Sequence, residues 1–410
     1  MQKGEKKMKS FVDNQFGMFI HWGIYSVSKI QDQVIARFDM DNKEYEKYAS
    51  VFNPVKYNPK EWVSLAKNAG MKYICFTTKH HDGFCMWNTK YSDYNIINTP
   101  YGKDVLKMLA DECEKQDMKL SLYYSCPDWH HEYGYNPNST HQWKAVNKEN
   151  INTKIYIEYV KNQITELMTN YGKIYSLFWD IPPKIEDKSI NELVRKLQPK
   201  IYINDRGYDT GDFSTPEREY EETGNIKRFE RMTEACNSVG EQSWGYREKE
   251  DYHSIRHLTM SIDRIMAMGG NYLLNVGPMP DGTIPEKSKS IIERVGNWYN
   301  RMEGSLECTV TDSFEYNIAK HKCIVNIKNS KSYFNFYEGI TSSSVALNCF
   351  PNIPKNVRLM NTGKNLEFEV EALPEYFSLE TGKADGEYLH ITGIPIDDLQ
   401  SEPIVIEIEW

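Results

Sequence analysis

Short apolar runs alternate with longer segments whose apolar residues recur every three to four positions, and this alternation fills the first three hundred residues. The runs fall at 16–23, 73–78, 120–125, 175–180, 201–205 and 272–277. Helical spacing marks 103–116, 152–171, 188–198, 253–267 and 284–302. Apolar runs of this length, with little polar interruption, predict strands of a parallel sheet buried on both faces, and the periodic segments predict the helices that cover it. After about residue 305 the texture changes. The segments 324–328, 332–337, 366–370 and 404–409 alternate with period two, separated by turn residues at 361–363 and 382–386. That pattern predicts antiparallel strands in a small sandwich. The expected fold class is therefore α/β. A (β/α)8-like TIM barrel over 1–304 is followed by a C-terminal antiparallel β-sandwich domain over 305–410.

Length and composition narrow the picture. A chain of 410 residues has room for one barrel and an appendage. Hydrophobic residues at 40% and charged residues at 26% support a large core and argue against disorder. The net charge of −9 argues against nucleic acid or an anionic membrane as partner, because both require basic patches. No run approaches the ~18 apolar residues of a membrane span. The basic N-terminal stretch lacks a following apolar segment, so the expected compartment is cytoplasmic, although a trimmed secreted form would read the same. The eight cysteines include no CxxC pair and read as reduced, buried small hydrophobes. With 28 Tyr and 9 Trp, aromatic faces are plentiful. Most pack the interior, but the excess fits a site that stacks on the C–H faces of sugars.

The chemistry sits where the runs end. His21-Trp22 closes the first, His80-His81-Asp82 follows the second, and Asp180 closes the run through Phe178 and Trp179. Polar groups at the carboxyl ends of successive parallel strands are where a barrel keeps its active site. Asp180 there is a nucleophile or general base, or else a helix cap or loop ion pair. His21, His80 and His81 raise the question of zinc. The only i,i+4 histidine pair is His253 and His257, without the glutamate a metalloprotease helix requires. No metal is expected, and the three imidazoles read as partners for sugar hydroxyls, or else as satisfied core histidines. General acid/base work needs a second carboxyl group. Asp212, Glu217, Glu219, Glu221, Glu222, Glu230 and Glu234 crowd one region, and the pattern alone does not choose among them. Arg206 follows the run at 201–205. It would hold a nearby carboxylate ionised, or form a surface ion pair. With no GxGxxG or Walker pattern, no cofactor is expected.

Eight strings taken together carry a resemblance. FGMFIHWG (16–23), TKHHDGF (78–84), LYYSCPDW (122–129), FWD (178–180), NDRG (204–207), DFSTPE (212–217), SWGY (243–246) and GGNYLLNVG (269–277) run in order across roughly 11–305. They resemble the α-L-fucosidases of glycoside hydrolase family 29. The resemblance implies an exo-acting retaining enzyme that removes terminal α-L-fucosyl residues from a fucosylated glycan by double displacement, without a cofactor and compatible with a homo-oligomer. It implies Asp180 as nucleophile and Arg206 beside it. It implies His21, His80, His81 and Tyr124 on fucose hydroxyls, and Trp244 on the fucose methyl group. Glu217 is the implied acid/base, with Glu234 as runner-up. Two departures concern the leaving-group side: Gln31-Asp32-Gln33-Val34 stands where relatives carry Glu-Trp, and Phe178 where an indole is frequent. The rival expectations are a retaining exo-glycosidase of galactoside type and a sugar-binding relative without catalysis.

Overall fold

The computed structural model describes residues 11, 13, 15–149, 151–185, 187–218, 229–302, 304–306, 314–318, 321–337, 339–347, 351–372 and 387–410. Glu219, Glu221, Glu222, Cys308, Cys349 and the turn at 382–386 lie outside the described residues.

Seven strands form a curled parallel sheet. They are β1 (Phe16–Ile20), β2 (Tyr73–Lys79), β3 (Lys119–Ser125), β4 (Ile174–Asp180), β5 (Tyr202–Ile203), β6 (Glu234–Ser238) and β7 (Asn271–Val276). Their hydrogen-bonded order is β5-β4-β3-β2-β1-β7-β6. The helices are α1 (Val34–Arg37), α2 (Asn42–Val51), α3 (Pro59–Asn68), α4 (Val105–Lys115), α5 (Thr153–Asn170), α6 (Lys188–Leu197), α7 (Ile255–Ala267) and α8 (Glu286–Arg301). Five of them start where an Asx side chain accepts from the first turn. Asp41, Asn58, Asp104, Asn152 and Asp187 cap α2 to α6, each contributing about 1 kcal/mol. The spacing of Val105, Leu106, Leu109, Ala110 and Cys113 gives α4 one buried face.

Two features depart from the expected strand pattern. The run at 201–205 condenses to the two-residue β5, and β6 appears where no apolar run announced it. Its sequence, Glu-Ala-Cys-Asn-Ser, is half polar because it places polar groups inside the curl. Instead of eight regular strands, residues 213–217 make isolated parallel bridges, Phe213 to Asn204, Ser214 to Thr233 and Glu217 to Cys236.

Inside the sheet, Phe19, Tyr73, Cys75, Tyr123, Phe178, Cys236 and Leu273 form one apolar cluster. At the amino-terminal ends of the strands, Tyr73 Oη donates to Glu234 Oε2 at 2.6 Å. Gly17 makes room for that ring, since a Cβ there would lie 2.6 Å from Tyr73 Cζ. Burial pushes the Glu234 carboxyl up to about 7, against a smaller lowering by the Tyr73 hydrogen bond. A carboxyl raised in the folded state binds more protons there than in the unfolded chain between about pH 4.5 and 7. Stability is therefore full below that window and falls as pH rises through it, by on the order of 3 kcal/mol for this group. Asp263, pushed up to about 7 by burial, adds a slope of the same sign. Glu234→Gln should flatten the dependence of the denaturant midpoint on pH between 5 and 8. An unaltered slope in the variant would refute this account.

The described residues divide into two compact units. The first holds the parallel sheet. The second holds 253–270 and the residues from 294 onward, including the antiparallel strands β8 (Phe314–Ile318), β9 (His321–Lys328), β10 (Lys331–Phe336), β11 (Val345–Leu347), β12 (Asn356–Leu359), β13 (Lys364–Asn365), β14 (Glu367–Ala372), β15 (Glu387–Thr392) and β16 (Ile404–Glu409). One sheet runs β13-β12-β16-β10-β9-β8 and the other β11-β15-β14. Phe336, Leu347, Val357, Leu389, Ile391 and Ile406, drawn from both sheets, share one apolar cluster, as the period-two pattern requires. Cys75, Cys85, Cys113, Cys126, Cys236 and Cys323 are buried. No described helix is long and apolar enough to cross a membrane.

Candidate active site

Strand alternation decides which side chains enter the curl. Along β4, Phe178 and Asp180 point inward. Trp179 points out to α6, where its Nε1 donates to Asn191 Oδ1 at 3.0 Å. Asp180 is only 8% exposed. Its Oδ2 accepts from Tyr123 Oη at 2.7 Å, and its Oδ1 accepts from Arg206 Nη1 and from Ile181 N, both at 3.0 Å. Ile181 has a φ of 58°, a left-handed conformation that is costly for a β-branched residue and typical of a constrained site.

Arg206 comes from the turn after β5. That turn crosses the face of Trp179 at Gly207, where a Cβ would lie 2.2 Å from Trp179 Cδ1. The guanidinium sits 5.7 Å above the Phe178 ring. The same Nη1 that binds Asp180 also donates to Glu217 Oε1, and Nη2 donates to the Thr215 carbonyl. Glu217 is bridged to Cys236 of β6. Two oxygens that share one donor nitrogen lie within about two hydrogen-bond lengths, or ~6 Å.

The environments of the two carboxyls push them apart. Burial alone would raise Asp180, but the charge of Arg206, the Tyr123 hydrogen bond and His80 overcome it, so Asp180 lies below its ordinary range. Glu217 is raised, first by burial and then by the Asp180 charge, against the opposing pull of Arg206. One acid is held ionised and its neighbour favours its proton, the division of labour that acid/base chemistry requires.

Three imidazoles line the same cavity. His21 Nδ1 donates to Asn275 Oδ1 at 2.7 Å, and the ring stacks on Trp244 at 5.3 Å. His81 Nδ1 donates at 2.7 Å to Ser125 Oγ, whose own proton goes to the Pro127 carbonyl. With Nδ1 protonated on both rings, each Nε2 is an acceptor. Burial, then His80, lowers His21 to about 4 and lowers His81 as well, so both are neutral at pH 7. His81 Nε2 stands 3.8 Å from Asp180 Oδ2. His80 packs on Tyr123, and its Nδ1 is buried without a partner. Asp32 Oδ2 is 3.9 Å from His80 Nε2, while Oδ1 accepts from Ser243 Oγ and from the backbone N–H groups of Trp244 and Gly245. Behind the histidines, Lys79 and Asp128 form a fully buried ion pair at 2.8 Å.

The cavity encloses about 120 Å³. Asp180, Glu217, Arg206, His21, His80, His81 and Trp244 all line it. Two expected residues do not. Tyr124 points out of the curl, and its hydroxyl donates to Gln163 Oε1 at 2.7 Å. The tyrosine that reaches Asp180 is Tyr123, in phase with Phe178. Glu234 lies at the opposite ends of the strands, on Tyr73. Asp32 and Gln33, noted from sequence only as a departure, and His141, not noted, also line the cavity. Alternation could have selected Tyr123. No local signal marks Asp32, whose hydrogen-bond donors are more than 200 positions away. A larger groove of about 370 Å³, lined by Lys107, Asp111, Asp117, Lys119 and Lys173, lies where β3 and β4 begin, the wrong ends for catalysis in this architecture. Among the described residues, those spaced to hold a metal ion are Glu369, Glu371 and His390 on β14 and β15, which do not line the cavity.

The family model described as alpha-L-fucosidase matches residues 1–303. The plasma alpha-L-fucosidase of Pongo abelii is 28% identical over 316 residues, covering 70% of this chain and 67% of that protein. The structure of alpha-L-fucosidase isoenzyme 1 from Paenibacillus thiaminolyticus superposes with a TM-score of 0.83 at 28% identity, covering 100% of this chain and 99% of that one. The Thermotoga maritima alpha-fucosidase in complex with a mechanism-based inhibitor gives a TM-score of 0.77 at 26% identity, with coverage of 98% and 96%.

Proposed function

Since the chain belongs to the α-L-fucosidase family of glycoside hydrolases, we propose that it removes terminal α-L-fucosyl residues from glycans by a retaining double displacement, with Asp180 as nucleophile and Glu217 as acid/base. The observation that carries this reading is the single Arg206 nitrogen shared by both carboxylates. A separation within ~6 Å suits the ~5–5.5 Å of retaining enzymes and falls short of the ~6.5–9.5 Å that inverting enzymes need for a water.

In the first step an Asp180 oxygen attacks C1 of the fucoside and the C1–O bond to the leaving group breaks. Glu217 gives its proton to the departing oxygen. In the second step Glu217, now a carboxylate, takes a proton from water as the water oxygen attacks C1, which frees Asp180. Arg206 keeps Asp180 ionised until it attacks and again once it is freed. His21 and His81 accept from sugar hydroxyls through Nε2, and His80 Nδ1 offers a further contact. Tyr123, rather than Tyr124, is the tyrosine proposed beside the nucleophile. Trp244 with Phe19 and Phe178 offers an apolar wall for the fucose methyl group, where a galactoside would present a hydroxymethyl. A (β/α)8-like barrel over 1–304, followed by a β-sandwich over 305–410, completes the proposal. The bridges made by residues 213–217 support it.

The test is stereochemical. Proton NMR of the first product formed from an aryl α-L-fucoside should show α-L-fucose before mutarotation. First appearance of the β anomer would overturn the retaining mechanism. Faster turnover of the matching aryl galactoside would overturn the substrate assignment.

A further inference from the structure

Arg206 is not the only anchor of the segment that carries Glu217. Glu217 sits on a single-residue bridge to β6: Cys236 N donates to the Pro216 carbonyl at 3.0 Å, and Arg218 N donates to the Cys236 carbonyl at 3.1 Å. A lone bridge fixes the backbone less firmly than a strand of the sheet does, and the Glu217 side chain is 39% exposed. Immediately after it the chain turns left-handed, with Arg218 at a φ of 47°. That conformation is unfavourable for a residue with a Cβ, and it persists where surrounding contacts over-determine it.

The Arg218 side chain supplies such contacts. Its guanidinium lies 4.6 Å over the Trp244 ring, and its Nη1 donates to the Glu241 carbonyl. Trp244 is itself held from several sides. Asp32 Oδ1 accepts from its N–H at 3.1 Å, Asn275 Nδ2 donates to its carbonyl at 2.7 Å, and His21 stacks on its ring. Trp244 lines the cavity, whereas Arg218 is not among the lining residues. A guanidinium over an indole adds electrostatic attraction to stacking and fixes the direction of a planar group. We propose that Arg218 is a positioning residue for the reaction, tying the Glu217 segment through Trp244 to the wall of the sugar pocket, so that the acid/base keeps its place beside Asp180.

The same guanidinium acts on Glu217 by its charge. Among the described residues, the charged and titratable groups facing Glu217 are Arg206, Asp180, Cys236 and Arg218. Burial and then Asp180 raise the Glu217 carboxyl, while Arg206 and, more weakly, Arg218 pull it down. Withdrawing the Arg218 charge therefore moves the carboxyl further up, and the donor keeps its proton to higher pH. This role rests on the fucosidase reading and adds to it the device that holds the acid/base.

The experiment measures kcat/KM on a fucosylated trisaccharide, whose leaving group needs the proton, and on α-L-fucosyl fluoride, whose leaving group hardly does. The ratio of the two values does not depend on how much of a variant is folded. Arg218→Ala should lower that ratio about tenfold and move the alkaline limb of the trisaccharide profile to higher pH. Arg218→Lys, which keeps the charge without the planar fork, should return the limb and recover only part of the ratio. In a Trp244→Leu background, Arg218→Ala should lower the ratio by less than about twofold, because the ring it acts through is gone. An unchanged ratio in Arg218→Ala, or the full loss in the Trp244→Leu background, would overturn the tie. Failure of the unaltered protein to hydrolyse fucosyl fluoride would instead overturn the fucosidase reading beneath it.

Discussion

Asp180→Gly is expected to lower kcat/KM on an aryl α-L-fucoside by about 10⁴-fold or more, and added azide is expected to restore turnover with β-L-fucosyl azide as product. The size of the loss follows from removing the atom that forms the bond to C1, a role that neighbouring groups do not share. The rescue follows from what the substitution leaves behind. The Arg206 guanidinium and the Tyr123 hydroxyl, each within 3.0 Å of Asp180, remain aimed at the vacated space. A small anion is stabilised there as the carboxylate was. Azide entering from that side attacks the face Asp180 would have attacked, so the configuration at C1 inverts once. Isolation of the product and its proton coupling constant at C1 decide the matter. Near-native turnover by the variant, or α-L-fucosyl azide as product, would remove Asp180 from the role.

Glu217→Ala is expected to show the complementary pattern. Loss of proton donation costs about 10²–10⁴-fold on a substrate whose leaving alkoxide needs the proton, such as a fucosylated oligosaccharide. An activated aryl fucoside needs no such help and should lose far less from the step that forms the glycosyl-enzyme. Azide added to this variant meets a fucosyl–Asp180 ester, so C1 inverts twice and the product is α-L-fucosyl azide. The pH profile provides an independent check. The wild-type rate should fall as pH rises through the raised Glu217 value, because the donor loses its proton. It should also fall at low pH as Asp180, held below its ordinary range, becomes protonated. The alkaline limb should vanish in Glu217→Ala and the acid limb should persist. Equal losses on good and poor leaving groups would take Glu217 out of the acid/base role. Glu234 could not replace it from its place on Tyr73.

The fold was legible to the extent that one residue's neighbours in sequence are also its neighbours in burial. The apolar runs at 73–78, 120–125 and 175–180 match β2, β3 and β4 to within a residue at each end, because a strand covered on both faces has no polar position to blur its limits. β6 was not legible. Its inward positions, Glu234, Cys236 and Ser238, are satisfied by Tyr73, Pro216 and Asn275 from elsewhere in the chain, so its residues carry no apolar signature. The choice between Tyr123 and Tyr124 falls between these cases. Both end the same strand, and only the phase set by Phe178 and Asp180 on β4 sends one inward.

What the sequence determined on its own was the kind of chemistry. Histidines and a carboxylate closing apolar runs, with an arginine after a later run, fix a polar site at strand ends, because those residue types do not end buried strands without partners. Which groups act together was decided by tertiary structure. Asp180 and Glu217 are 37 positions apart, and they become a pair only where Arg206 holds both, with burial and mutual charge moving one carboxyl down and the other up. Asp32 enters the site for the same reason, as its contacts to Ser243, Trp244 and Gly245 exist only once the sheet has curled. Charge and hydrogen bonding act through space over a few ångströms, and sequence order records that distance only within a strand or a turn of helix.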